Sequence, residues 1–280
     1  MPPKLGILAG AGEMPARLIA ACRRSGRDVF VLAFEGQTPP ATVANVAHAW
    51  VRLGAVGQAI EHLHAAGVRD VVMAGAMRRP SLAELRPDRR AAVILARVGA
   101  ALFGGGDNRI LSAIAGELES TEGFRVVGIE SILTETLARP GLYGSVEPDD
   151  TARHDMTLGI EVARGLGAFD VGQGVVVQQG LVLAVEAIEG TDAMLARSRT
   201  LRRDGPGGVL VKVKKPGQDG RIDLPTVGVA TVEAAHGAGL HGIAVEAGGA
   251  LVIDAPAVAA TADRLGLFVI GIVVVKDGRG

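Results

Sequence analysis

The sequence predicts an α/β fold of two α/β domains. An N-terminal Rossmann-like parallel sheet spans residues 1–138 and a C-terminal mixed-sheet domain spans 151–280. Three observations carry this expectation. Continuously apolar runs such as Leu5–Ala9 alternate with helical patterns through the first half, as in parallel sheets covered on both faces. The stretch Ala138–Asp150 (ARPGLYGSVEPDD) concentrates Pro, Gly and acidic residues, which reads as a linker over 139–150. Val175–Gln178 and Leu181–Val185 are separated only by Gln179-Gly180, the spacing of a tight antiparallel hairpin.

In chain order, the strand Leu5–Ala9 leads through Gly10-Ala11-Gly12 into a helix over Met14–Arg24, where Pro15 suits the first turn. A strand at Asp28–Phe34, a helix at Val56–Ala66 and the buried strand Asp70–Ala74 (DVVMA) follow. Helices over Ala91–Phe103 and Asn108–Glu119 flank the turn Gly104–Asp107, in which Asp107 reads as an N-cap, and a strand at Phe124–Ile129 closes the half. The second half opens with a helix at Thr151–Gly165 and the hairpin. A helix near Thr191–Thr200, a strand at Val209–Val213, a helix at Val227–Gly237 and a strand at Gly242–Val245 come next. The chain closes with Leu251–Ile253 as strand, Val258–Leu265 as helix and Leu267–Val275 as strand.

The composition narrows the function classes. With 48% hydrophobic and 21% charged residues the chain can bury a full core and is not of the disordered type. A net charge of −1 and 3% aromatic residues leave neither the basic footprint nor the stacking platforms of a nucleic-acid binder. The single Cys22 excludes a disulfide framework and a Cys-rich zinc site, and suits a reducing cytoplasm. The opening MPPKLGILAGAGEMP meets glycines rather than forming an export leader. The longest apolar run, Gly266–Val275, is half the ~20 residues of a membrane span and reads as a buried strand.

Two loops at strand ends are candidate anion contacts. Gly10, Ala11 and Gly12 follow a strand and precede a helix, where backbone amides can meet a phosphate. Glu35 sits near where a dinucleotide fold places its ribose acid, but Pro15 replaces the third glycine of that fingerprint. Gly75 and Arg78, with Arg79, end the Asp70–Ala74 strand at what should be the same sheet edge, where guanidinium groups match phosphate geometry.

The densest chemistry is in GLVLAVEAIEGTDAML, where an apolar strand runs into Glu186, Glu189 and Asp192. Buried charge of this kind requires a cation, a metal or a polar ligand beside it. Gly190 allows a bend, and Thr191 or Asp192 caps the next helix, whose free amides favour phosphate. Gln178 lies in the preceding strand, and Lys212 and Lys215 follow a later one, placed to neutralise phosphate charge. Asp223, in RIDLPTVG, reads as a helix cap, a metal ligand or the base that activates water. The six histidines form no HExxH or comparable metal spacing, and no G-x-S-x-G elbow is present.

These segments together resemble the UDP-2,3-diacylglucosamine pyrophosphatases of the LpxI type. The resemblance rests on LGILAGAGEMP, VVMAGAMRRP, DVGQGVVVQQGLVLAVEAIEGTDAML, LVKVKKP, RIDLPTVGVATVEAAHGAGL and LGLFVIGI, and covers essentially the whole chain. It implies two α/β domains with a ligand cleft between them, and magnesium-dependent hydrolysis of a lipid-linked UDP-sugar to UMP and 2,3-diacylglucosamine 1-phosphate, within lipid A biosynthesis. It also implies Asp223 as the essential residue. Joined to the residues above, it leads to the expectation that Asp223 holds the magnesium with help from Glu186, Glu189 or Asp192, and that the loops and acidic and basic residues above contact substrate. The expected setting is a cytoplasmic homodimer touching the inner membrane surface transiently. Gln179 and Asn108 depart from the family pattern, where some relatives carry acids. Two other readings stand beside it, an NAD-dependent oxidoreductase using Gly10, Gly12 and Glu35, and a non-catalytic sugar-nucleotide-binding protein.

Overall fold

The computed structural model describes residues 2–78, 82–94, 96 and 107–274. Arg79, most of the expected Ala91–Phe103 helix and the Gly104–Gly106 turn lie outside those residues. The chain forms two compact units, Met1–Thr134 with Arg221–Asp223, and Glu135–Gly220 with Leu224–Gly280. The first unit therefore takes three residues from far down the sequence, which a linear division at residue 138 does not anticipate.

In the first unit, β1 (Leu5–Ala9), β2 (Val29–Phe34), β3 (His48–Val51), β4 (Asp70–Ala74) and β5 (Arg125–Val126) form one sheet in the order β3-β2-β1-β4-β5. Every pairing is parallel. This agrees with the Rossmann-like expectation, and the continuous apolar runs are what a sheet buried on both faces requires. Helix α1 (Met14–Ser25) turns Leu18, Ile19 and Cys22 onto Leu5, Ile7 and Val31, and burial pushes the Cys22 thiol pKa up. Gly26 ends the helix at φ 67°, returning its amide toward the last carbonyls. Helix α2 (Val56–Ala65) covers the other face through Ile60 and Leu63. At the amino edge, buried Asp70 accepts hydrogen bonds from Arg27 and Arg125, which compensates its desolvation. Helix α3 (Asp107–Ser120) leads to β5, which is shorter than the expected strand and gives way to a 3-10 turn at Ile129–Ser131.

The second unit holds a six-stranded mixed sheet. Its strands are β6 (Gly141–Leu142), β7 (Gly174–Gln178), β8 (Leu181–Val185), β9 (Val209–Lys212), β11 (Gly242–Glu246) and β13 (Phe268–Ile272), in the order β6-β13-β11-β9-β7-β8. β9, β11 and β13 are parallel, and β6, β7 and β8 run antiparallel to their neighbours. A separate parallel pair joins β10 (Thr226–Val227) to β12 (Leu251–Val252), so the expected helix at Val227 starts two residues later, at Val229. Part of the stretch expected as a linker is ordered by the sheet. Gly141 and Leu142 pair with β13, Tyr143 is buried, and its phenolic oxygen accepts from the Arg139 amide at 2.8 Å.

Helix α4 (Asp150–Ala168) lies on one face, so close that a Cβ on Gly159 would stand 2.5 Å from Val211. Its cap is Asp149, which accepts from the Ala152 amide at 2.7 Å. Helices α5 (Gly190–Ser198), α6 (Val229–Gly237) and α7 (Ala255–Leu265) cover the other face around Met194, Leu195, Val232 and Val258. The β7–β8 hairpin turns on Gln179 and Gly180, both at positive φ of 52° and 74°. Buried Asp155 on α4 accepts from both turn amides, at 2.9 and 2.7 Å. Among the described residues no helix is long and apolar enough to cross a membrane.

Candidate functional site

Two groups of residues stand out, one in each unit. In the first unit, strand order reverses between β1 and β4, and open α/β sheets bind ligands beyond the carboxyl ends of strands at such a point. The Gly10–Gly12 and Gly75–Ala76 turns meet there. Ala11 and Ala76 exchange backbone hydrogen bonds at 2.8 and 3.0 Å. Glycine is obligatory at two positions: a Cβ on Gly10 would lie 2.5 Å from the Ala76 carbonyl oxygen, and Gly75 sits at φ +93° against Ala11. The Ala11 amide is thereby spent on the neighbouring loop, whereas Gly12, at φ +88°, has open space where a side chain would stand. Thr38 ties the neighbouring edge, accepting from the Phe34 amide at 2.8 Å and donating to the Ala9 carbonyl. The Arg78 guanidinium reaches Glu84 at 3.2 Å and is largely exposed.

In the second unit, charged side chains gather where β8 and β9 end and α5 begins. Lys212 and Glu186 are buried, 4% and 9% exposed. Thr191 joins them: Lys212 Nζ donates to its hydroxyl oxygen at 2.6 Å, and that hydroxyl donates to Glu186 Oε1 at 2.6 Å. The other carboxylate oxygen, Oε2, is buried with no hydrogen-bond partner. It faces Gly174, directly opposite Lys212 in the β7–β9 register, where an added Cβ would stand only 2.6 Å away. A buried ammonium next to a half-satisfied carboxylate is an incomplete polar network, a costly arrangement unless a ligand completes it.

Lys215, three residues on, is paired with Asp170 at 2.7 Å, both nine-tenths buried. Asp170 holds this position at φ 59° just ahead of β7. Sequence reasoning did not single it out, because its partner lies 45 residues away.

The remaining expected contacts are placed differently. Glu189 is bound to Arg197 at 2.8 Å, and that guanidinium holds its carboxyl below the usual carboxylate range. Gln178 is fully buried and its amide is consumed by the 203–206 loop. It donates to the Arg203 and Pro206 carbonyls at 3.0 and 2.7 Å and accepts from the Arg203 amide at 2.9 Å. Gly190, at φ 77°, makes the bend before α5, and Asp192 is exposed in the first turn of that helix.

Asp223 belongs to the first unit and is half-buried. Its position follows from the two residues before it: Ile222 is buried among Leu63, Leu118, Phe124 and Val126, and Arg221 binds Glu119 at 2.8 Å. Among the described residues no group of three or more His, Cys, Asp or Glu side chains is gathered as a metal centre.

The strand orders and the buried lysine–carboxylate groups define an α/β protein of two units, one with a parallel and one with a mixed sheet. Two family models match it, the LpxI N-terminal domain over residues 4–136 and the LpxI C-terminal domain over 139–270. The chain belongs to the LpxI family. A relative from Caulobacter vibrioides, UDP-2,3-diacylglucosamine pyrophosphatase LpxI, is 41% identical over 275 residues, covering 96% of this chain and 97% of its own. Among solved structures, the CobK precorrin-6A reductase aligns over 99% of this chain and 91% of its own. Its 13% identity and TM-score of 0.34 are too low to bear on the fold.

Proposed function

We propose that this chain hydrolyses the pyrophosphate of UDP-2,3-diacylglucosamine, releasing UMP and 2,3-diacylglucosamine 1-phosphate for lipid A biosynthesis, with Mg²⁺ as cofactor. The observation that carries the reading is identity of 41% along nearly the whole length of a relative named for that activity. The chemistry of the side chains supports it. Phosphoryl transfer needs little covalent participation from protein and much charge stabilisation. Lys212, held by Thr191, is a fixed, desolvated positive charge suited to phosphoryl oxygens. Glu186 Oε2 needs a donor, and a substrate hydroxyl or amide N–H would supply one. Gly12, Gly75 and the amides at Thr191 are the backbone contacts in this reading, with Gly10, Ala11 and Lys215 shaping the loops around them.

Asp223 is the essential carboxylate and would hold the metal. Its carboxylate offers the hard oxygen donors that Mg²⁺ takes, and such a site commonly uses one or two carboxylates with water and substrate oxygens completing the shell. The donor chemistry therefore fits without a larger acidic cluster. Bound Mg²⁺ supplies charge neutralisation on the pyrophosphate, easing attack of water at the sugar-side phosphorus.

Replacing Asp223 with Ala is expected to lower UMP release roughly 100-fold or more, the scale of a lost catalytic group. Wild-type turnover with magnesium, set against an EDTA control, gives the reference, and near-normal turnover in the variant sinks the assignment. The reading extends to a cytoplasmic homodimer that contacts the inner membrane surface transiently. The exposed side chains of Phe169 and Ile188, 82% and 91% accessible, support contact with an apolar partner. Sedimentation velocity and vesicle co-sedimentation test those two extensions, and a monomer that stays in the supernatant refutes both.

A further inference from the structure

We infer that Arg221 and Glu119 form a positioning clamp that sets the place of Asp223, and that this clamp determines turnover. The inference rests on the proposed role of Asp223 and goes beyond it by naming the residues that hold that carboxylate.

The geometry is a closed ring around one residue of β5, Val126. Glu119 Oε1, from the last turn of α3, accepts from the Val126 amide at 3.2 Å and from Arg221 Nη1 at 2.8 Å. Arg221 Nη1 also donates to the Val126 carbonyl at 3.2 Å, and Nη2 reaches Glu119 Oε2 at 3.4 Å. Two side chains 102 residues apart in sequence thus grip the same residue of the sheet edge. A two-pronged guanidinium–carboxylate pair fixes direction as well as distance, which a lysine in the same place cannot do. Directly after Arg221, Ile222 is only 6% exposed in the cluster of Leu63, Leu118, Phe124 and Val126. The polar clamp and the apolar plug occupy consecutive residues, so the backbone entering Asp223 has little freedom.

That arrangement exceeds what stability alone asks for. Arg221 and Glu119 are 42% and 33% exposed, and ion pairs at such exposure contribute little to folding. Placement, by contrast, is sensitive: displacement of a reacting group by about 1 Å can cost on the order of 100-fold in rate. Arg221 and Glu119 are thus positioning residues, acting through Asp223 rather than on substrate.

The test uses the full chain with UDP-2,3-diacylglucosamine and magnesium, measuring kcat and KM for Arg221→Ala, Arg221→Lys, Glu119→Gln and, as control, Asp223→Ala. The clamp predicts kcat falling roughly 10- to 100-fold in Arg221→Ala with KM within about twofold, and a smaller fall in Glu119→Gln, which keeps an acceptor for the Val126 amide. Arg221→Lys should recover part of the loss. Melting curves establish that each variant is folded at the assay temperature, and Glu119→Gln carries the test if Arg221→Ala is not. Unchanged kcat in folded clamp variants, or a rise in KM alone, overturns the clamp while an inactive Asp223→Ala leaves the hydrolase reading standing. An active Asp223→Ala overturns the hydrolase reading itself, and with it the clamp's purpose.

Discussion

Thr191→Val tests the buried relay most directly. Valine matches threonine in shape but has no hydroxyl, so the change removes both the acceptor of Lys212 Nζ and the donor to Glu186 Oε1 while leaving packing intact. Each lost hydrogen bond involves a charged, buried partner, and such bonds contribute about 1.5–3 kcal/mol apiece. With water entry or a proton shift relieving part of the loss, a net destabilisation of about 2–4 kcal/mol in the second unit is expected. Choice of probe matters. The one tryptophan, Trp50, sits in β3 of the first unit, so its fluorescence reports the wrong half of the molecule. Amide hydrogen exchange read by mass on peptides covering β7 and β9 reports the right one. A 2 kcal/mol loss there corresponds to roughly 30-fold less protection, at about 1.4 kcal/mol per factor of ten. Thr191→Ser keeps the hydroxyl and should remain within about threefold of the parent. If Thr191→Val also stays within that margin, the relay does not hold the site together and the argument from buried charge fails.

Other outcomes follow from single contacts. Gly10→Ala would drive a Cβ against the Ala76 and Gly75 carbonyl oxygens at 2.5 and 2.7 Å, and backbone cannot yield as a side-chain tip does. A loss of about 1–3 kcal/mol is expected in the first unit, read by Trp50 fluorescence in urea, and an unchanged midpoint would refute the tight loop pairing. The Ser145 amide, at 2.6 Å, followed by its hydroxyl, at 2.9 Å, holds the Asp263 carboxyl below its usual range. Because the folded value is depressed, the stabilisation is complete above the ordinary carboxylate pKa of about 3.9 and is lost as pH falls through the lower folded value. Asp263→Asn should therefore flatten the acid dependence of exchange protection around residues 141–146, and an unaltered profile would exclude the link.

The long strands were legible because burial on both faces leaves continuous apolar runs, as in Leu5–Ala9 and Val175–Gln178. The hairpin was legible because Gln179-Gly180 can take two successive positive φ values. β3, β6 and β10 were not foreseen, since strands of two to four residues carry no periodic signal and are defined by their partners. The same distinction governs the site. Glu186, Thr191 and Lys212 could be suspected from charge at strand ends, and the structure does join them. Glu189 was drawn into that group by sequence proximity, but Arg197 lies two helical turns on and takes it away. Gln178 stands out as a polar residue in the strand preceding the acidic run, yet its partners sit 25 and 28 residues later. Asp170 and Lys215, 45 residues apart, pair through space in a way no local pattern records.

The return of Arg221–Asp223 to the first unit also bears on how the protein is made. Ile222 fills a place in the core beside Ile60, Leu63, Leu118 and Phe124. A nascent chain released at residue 138 has every strand of the parallel sheet and still lacks that side chain. The usual order, in which an N-terminal domain finishes folding while the rest is being synthesised, is therefore interrupted here. The cluster around Leu63 and Phe124 stays one side chain short until synthesis has passed residue 222. Severing the gene between the two halves would leave the N-terminal product without Ile222, and that fragment should depend on a peptide carrying Arg221–Asp223 to close.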